Sequence, residues 1–120
     1  MGVSAGIRAS ARELLDPGDR IRYLFPAELL LSTRPYVYIM ISDRAVTVLA
    51  TGIRKRAPLS VRAKYSRDVR IGPPELTTPP SFVVAGIWYQ IEDEYVAVVN
   101  AANAEFDGSD GLPPDPLAEM

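Results

Sequence analysis

Apolar residues are densest between Tyr36 and Ala50, where the runs YVYIMI and AVTVLA flank the polar break Ser42-Asp43-Arg44. Both runs are rich in Val, Ile, Tyr and Thr, side chains that pack well on a pleated surface, so the stretch predicts a central β-hairpin. Upstream, Ile7, Ala11, Leu14 and Leu15 recur at helical spacing, with Ser4 as N-cap and Asp16-Pro17-Gly18-Asp19 as the stop. That pattern predicts a short amphipathic helix on the flank of the domain. Arg20 to Phe25 then alternates, with Ile21, Tyr23 and Phe25 on one face of a strand. Pro26 has no N–H to give a ladder, so the strand is expected to be an edge there, or bulged, before Ala27 to Leu31 resumes it.

Downstream of the hairpin, Gly52 opens a break that contains Arg54-Lys55-Arg56 and Pro58. Leu59 to Ser66 alternates with period two, which predicts Leu59, Val61, Ala63 and Tyr65 inward and Ser60, Arg62, Lys64 and Ser66 outward. Val69 to Ile71 reads as a short strand beside it. Gly72 to Pro80 holds four prolines and is expected to be an irregular loop. Phe82 to Ile91 reads as the last strand, with Gly86 as a bulge. Asp93 is the expected cap of a helix from Glu94 to Phe106, whose docking face is Tyr95, Val98, Val99, Ala102 and Phe106, with Gly108 as its stop. Residues 1–108 thus form one domain, and the acidic, Pro-rich tail from Ser109 to Met120 is expected to be disordered. The fold expected is mainly β: a partly open barrel of antiparallel strands, with a short N-terminal helix and a C-terminal amphipathic helix closing the open end.

Missing residue types narrow the chemistry. The chain has neither Cys nor His, which removes thiolate and imidazole nucleophiles, Ser-His-Asp catalysis and the usual zinc sites. No cofactor or metal is expected. No apolar run is long enough to span a bilayer, because Asp43 and Arg44 interrupt the longest one, and the opening residues are too polar for a secretory signal. The expected location is the cytoplasm.

Charge is unevenly distributed. Arg54, Lys55, Arg56, Arg62, Lys64, Arg67 and Arg70 face a single acid, Asp68, in their stretch, whereas from Glu92 onward there are eight acids and no base. If the strand residues share an outward face with the adjoining loop, these seven make one positive patch able to attract phosphate groups or an acidic peptide. Such charges also protect strand edges, and a solvated face is the plainer alternative. Nucleic acid is disfavoured, since the patch lacks interleaved aromatics and the net charge is −2. Trp88 and Tyr89 must face opposite sides of their strand. They are candidate anchors, with Trp88 in the core as the competing expectation. Glu92, Asp93 and Glu94 could in principle serve as acid and base, or simply complement a helix start.

The entry Leu14-Leu15-Asp16-Pro17-Gly18-Asp19, the turn Met40-Ile41-Ser42-Asp43-Arg44 and the closing helix Tyr95 to Phe106 together resemble the bacterial pleckstrin-homology-like domains, over about residues 10–107. The resemblance implies two near-orthogonal antiparallel sheets capped by a C-terminal helix. It also implies a lipid site on basic residues of the first strands and their loop, and here that first loop offers only Arg34. The expected function is a non-enzymatic binding or scaffolding module that recognises a protein partner or itself, through the basic patch or an edge left open by the Pro-containing strand. The alternatives are a peripheral membrane module reading anionic lipid head groups through the patch, and a carboxylate-based enzyme.

Overall fold

The computed structural model describes residues 3–33, 35–52 and 57–110. In chain order the elements are α1 (Ala5–Arg12), β1 (Ile21–Leu29), β2 (Tyr36–Ser42), β3 (Ala45–Thr51), β4 (Pro58–Ser66), β5 (Ser81–Val84), β6 (Ile87–Gln90), a 3-10 turn (Asp93–Tyr95) and α2 (Val96–Asp110). The six strands pair antiparallel in the order β4-β3-β2-β1-β6-β5, in one sheet that curls into a half-barrel.

The central hairpin is where expected, and the structure explains why neither of its runs alternates in polarity. Val37, Ile39 and Ile41 of β2, with Val46 and Val48 of β3, point into the hollow of the sheet, where α2 supplies Val99 and Ala102. The intervening Tyr38, Met40 and Leu49 point outward and are covered, with Leu24, by Ala11 of α1 and by Ile7, Leu14 and Leu15. Both faces of the hairpin are therefore core. In the hollow, Phe25 meets Phe82 edge-on and stacks on Tyr95, while Phe82 stacks on Tyr89. Each fully buried apolar side chain of this kind contributes about 1.5–3 kcal/mol.

Local signals at the chain's start also hold. The Ser4 hydroxyl accepts the Ile7 N–H at 3.2 Å, as an N-cap does. The helix ends at Arg12, and Leu14 and Leu15 dock from the turns after it. The Asp16–Asp19 segment turns tightly, with the Asp19 N–H on the Asp16 carbonyl at 3.1 Å and Gly18 at φ +85°. Asp19 then accepts the Ser42 hydroxyl at 2.6 Å, and the Ser42 oxygen in turn accepts the Ala45 N–H at 3.2 Å. The helix exit and the hairpin turn are thus tied to each other.

Several expectations are corrected. The break expected after Phe25 is absent, since strand β1 runs through Pro26 in register with β2; its pairing with β6 is confined to Glu28 and Leu29, so Pro26 stands at a local edge, the first of the two arrangements expected. Strand β4 begins at Pro58, and its register slips twice, so that Arg62 and Leu59 are extra residues against β3. The slips undo the alternation: Ala63 and Tyr65 pack inward as expected, but Val61 is opposite outward-facing Leu49 and Leu59 is left exposed. Of the strand expected at Val69–Ile71, only Ile71 bridges, and it does so to Val84 of β5 rather than to β4. The stretch Phe82–Ile91 is a hairpin of two strands. Its turn, Ala85-Gly86, has φ of +50° and +80°, the geometry of a two-residue hairpin loop. That turn places Tyr89 opposite Phe82 in the core and leaves Trp88 outward. Helix α2 begins at Val96, after the 3-10 turn, and continues past Gly108 to Asp110, so Asp93 is not its cap. The tail from residue 111 lies outside the described residues.

Ala85 is a residue with a Cβ in a left-handed conformation that Asn or Gly adopts more readily. Ala85→Asn should stabilise the domain by about 1 kcal/mol, read as a higher unfolding midpoint in urea at unchanged slope. At Gly72 an added Cβ would stand 2.7 Å from Val83 Cγ1. Gly72→Ala should destabilise by about 1–3 kcal/mol in the same assay.

Candidate functional site

The outer face of the sheet is only half covered. Helix α1 lies over Leu24, Met40 and Leu49, at the end that holds the Ser42–Ala45 turn. Alternation along the strands puts Pro26, Glu28, Tyr36, Thr51, Trp88 and Gln90 on the same outer face, toward the other end. There Tyr36 and Trp88 are 38% and 40% exposed. A groove of about 310 Å³ crosses this half, bordered by Pro26, Glu28, Tyr36, Tyr38, Gln90 and Glu92. A second hollow, of about 410 Å³, shares Tyr36 and Thr51 with it and is bordered by Pro35 and Arg62. Two exposed leucines follow β1: the Leu30 N–H reaches the Trp88 carbonyl, and Leu31 is fully exposed.

Pro26 creates the opening. On β1 the Leu29 N–H points to the β2 side, to the Pro35 carbonyl at 2.7 Å, and the Leu30 N–H to the β6 side, to the Trp88 carbonyl at 3.3 Å. By alternation the N–H that Pro26 lacks would point toward β6. Pairing between β1 and β6 stops at Glu28↔Gln90, whereas on its other side the chain continues along β5, with the Ile91 N–H on the Pro80 carbonyl at 3.0 Å. The groove lies where the two strands part.

Of the predicted positive patch, Arg54, Lys55 and Arg56 lie outside the described residues, as does Arg34. The other four are spread over different surroundings. Lys64 lies opposite Thr47 and forms an ion pair with Asp16, just beyond α1. Arg67 donates to the Ala102 carbonyl of α2 at 3.1 Å. Arg62 borders the second hollow, and Arg70 is exposed after β4. Glu92, Asp93 and Glu94 stand at the 3-10 turn. Among the described residues no group of acidic side chains is arranged to hold a metal ion.

The polar chemistry of the fold is concentrated at the end opposite the groove. Asp43 accepts from Arg20 at 3.0 Å and pairs with Arg22 at 3.5 Å, and Arg22 continues to Glu105 of α2 at 2.9 Å. The Tyr23 hydroxyl donates to the same Glu105 oxygen at 2.9 Å. That hydrogen bond, with those of Arg22 added, outweighs burial and holds the Glu105 carboxyl below the ordinary glutamate range. The Glu105 hydrogen bond, then burial, raises the Tyr23 phenol. At Asp19 burial alone would raise the carboxyl, but the Ser42 hydroxyl and the backbone N–H groups of Arg20 and Arg44 prevail and lower it.

Compared with protein-family models, curated proteins and solved structures, the chain finds no match. The site therefore has to be read from its own geometry. Sequence reasoning singled out Trp88 but not Glu28, Tyr36, Tyr38 or Gln90, which meet only through the β1–β2 and β1–β6 pairings.

The lowered carboxyls fix a sign. Glu105 and Asp19 bind protons less readily in the folded chain, so their contribution is complete above the ordinary carboxylate range, about pH 4–5, and is lost as pH falls through their lowered folded values. The raised Tyr23 phenol works the other way, contributing below about pH 10 and losing its contribution as pH rises through the raised folded value. Thermal unfolding followed from pH 2 to 11 should therefore show Glu105→Gln less stable at neutrality, with a shallower acid decline, and Tyr23→Phe with a shallower alkaline decline. An acid decline identical to that of the parent chain in Glu105→Gln would refute the assignment.

Proposed function

We propose that the chain is a non-enzymatic binding module that recognises a protein segment on the uncovered half of its outer sheet face. The observation that carries this reading is the groove itself, with Tyr36 exposed on its border and Trp88 exposed on the same face, whose other half is covered by α1. Interfaces are anchored by aromatic side chains of this kind, set beside a concave apolar floor. A half-barrel with a C-terminal helix in its hollow also supports the pleckstrin-homology-like reading of the frame. The Ser42–Asp19 hydrogen bond joins two of the three motifs on which the resemblance rests, which gives both a role in holding the frame.

The sheet edges are less suited to a partner than the face. Residues 71–75 run along β5, with hydrogen bonds from Gly72 to Val83 and in both directions between Glu75 and Ser81. At the other edge, β4 carries Arg62, Lys64 and two register slips, features that discourage a further strand. The second reading, an anionic lipid surface bound through the basic patch, draws on the charge of residues 54–70. Among the described members, Lys64 and Arg67 are engaged with Asp16 and Ala102.

Photo-crosslinking in cells tests the face. With a benzophenone amino acid in place of Tyr36 or Trp88, discrete adducts should form, and none should form from the same group at Glu13 or Ala97. An adduct of twice the chain's mass would identify a second copy as the partner. Equal adducts from all four positions, or none from any, would reject the proposed face. Sedimentation with phosphatidylserine vesicles, lost on Arg62→Glu and Lys64→Glu, would favour the lipid reading.

A further inference from the structure

Two carboxylates, Glu28 and Glu92, stand on the walls of the groove. Asp16, Asp43 and Glu105 each have a Lys or Arg partner. Glu28 and Glu92 border an apolar groove and have no ion-pair partner among the described residues. From this we infer that the recognised segment is basic, and that it seats a Lys or Arg side chain between Glu28 and Glu92 against Tyr36 and Tyr38. The inference rests on the binding face proposed above.

The chemistry of the lining fits such a side chain part by part. Two carboxylates supply counter-charge, and apolar walls of Pro26, Tyr36 and Tyr38 lower the local dielectric, so a cation there is screened less than on open surface. Tyrosine rings attract a cation through their faces, an interaction strongest when water is displaced. Gln90 lies opposite Glu28 in the β1–β6 register and adds an amide oxygen able to accept an N–H. The methylene stem of Lys or Arg suits the proline and tyrosine surface while its head reaches the carboxylates. The arrangement also has a direction. Arg62 borders the adjoining hollow beyond Tyr36 and Thr51, so the charge along the surface changes from negative to positive. A segment with its basic residue at the Glu28 end, and a neutral or acidic residue toward Arg62, matches that order.

Trp88 is the chain's only tryptophan and lies on the same face, so its fluorescence is a probe for that face. The probes are a short Pro- and Leu-containing peptide with one arginine and its twin with neutral citrulline in that place, titrated into the full chain and followed by Trp88 emission and amide NMR shifts. The arginine peptide should bind, with shifts centred on Glu28, Tyr36, Gln90 and Glu92, and the citrulline twin should not. The Glu28→Gln/Glu92→Gln double variant should bind the arginine peptide about tenfold more weakly. Both glutamates are exposed, so that variant should keep its unfolding midpoint. Raising the ionic strength from about 0.05 to 0.5 M should weaken the parent chain's binding as well.

Equal binding of the citrulline twin, unchanged binding by the double variant, or shifts centred on Asp93 and Glu94 instead would each overturn the inference. The outcome also separates two kinds of failure. Crosslinks from Tyr36 and Trp88 without arginine-dependent binding would leave the face standing and reject its basic occupant. Loss of both would reject the face. A concentration-dependent dimer whose shifts map to Tyr36 and Trp88 would make a second copy the occupant and likewise overturn the inference.

Discussion

The β2–β3 hairpin has apolar side chains on both faces, and such an element is stable only if each face is covered by something other than water. In the hollow the cover is α2, which adds Val99 and Ala102 to the core that Ile39 and Val48 share. On the outside it is α1, held by Ala11, Ile7 and the leucines that follow. The two helices differ in reach. At about 1.5 Å per residue, α1, with eight residues, spans about 12 Å, whereas β1, with nine residues at about 3.3 Å each, spans about 30 Å. One short helix cannot cover the whole outer face. The exposed half, with Tyr36 and Trp88 on it, is a geometric consequence of how the hairpin is buried.

Local chemistry was legible in the sequence wherever neighbours along the chain determine the structure. Ser4 reads as a cap and is one, Ser42-Asp43-Arg44 reads as a turn and is one, and Val98, Val99 and Ala102 mark the docking side of α2. Legibility ends where register decides. Alternation from Leu59 to Tyr65 is regular in the sequence, but two slips against β3 move Val61 to the outer face and leave Leu59 exposed. Gly86 in an apolar run suits a bulge as well as a turn. Pairing of Val84 with Ile87 decides for the turn, and with it which of Trp88 and Tyr89 is buried. Glu28 and Gln90 become neighbours only through a strand pairing between distant parts of the chain. No local pattern could have announced that part of the site.

Charge shows the same separation between what is written along the chain and what the fold does with it. The basic stretch reads as one patch, yet β4 turns Lys64 toward Asp16, and the turn after it carries Arg67 to the Ala102 carbonyl. Burial of strand faces and docking of helices determine where each cation points, and proximity in sequence does not. The result is a polar network at one end, Arg20–Asp43–Arg22–Glu105 with Tyr23, that links the hairpin turn to α2. Exposed pairs of this kind add little stability singly, and their value here is in fixing how α2 enters the hollow. Helix, turn and first strand are thereby held at the end remote from the groove.

That division makes Pro26 the residue on which the candidate site depends. A bulge would have shifted the register of β1 and could have turned Glu28 to the inner face; a proline leaves the register with β2 intact, as Pro26↔Tyr38 shows, and removes only one donor on the other side. With an ordinary residue there, β1 and the chain at Ile91–Glu92 could continue their ladder and close the gap between them. The missing N–H favours their parting after Glu28↔Gln90 without costing an unsatisfied donor, since there is none to satisfy. A sheet otherwise well paired thus acquires a cleft between Pro26–Glu28, which belong to β1, and the chain that leaves β6 after Gln90. The pairing of β1 with β2 is what lets a shallow groove present Glu28, Tyr36 and Tyr38 in fixed positions.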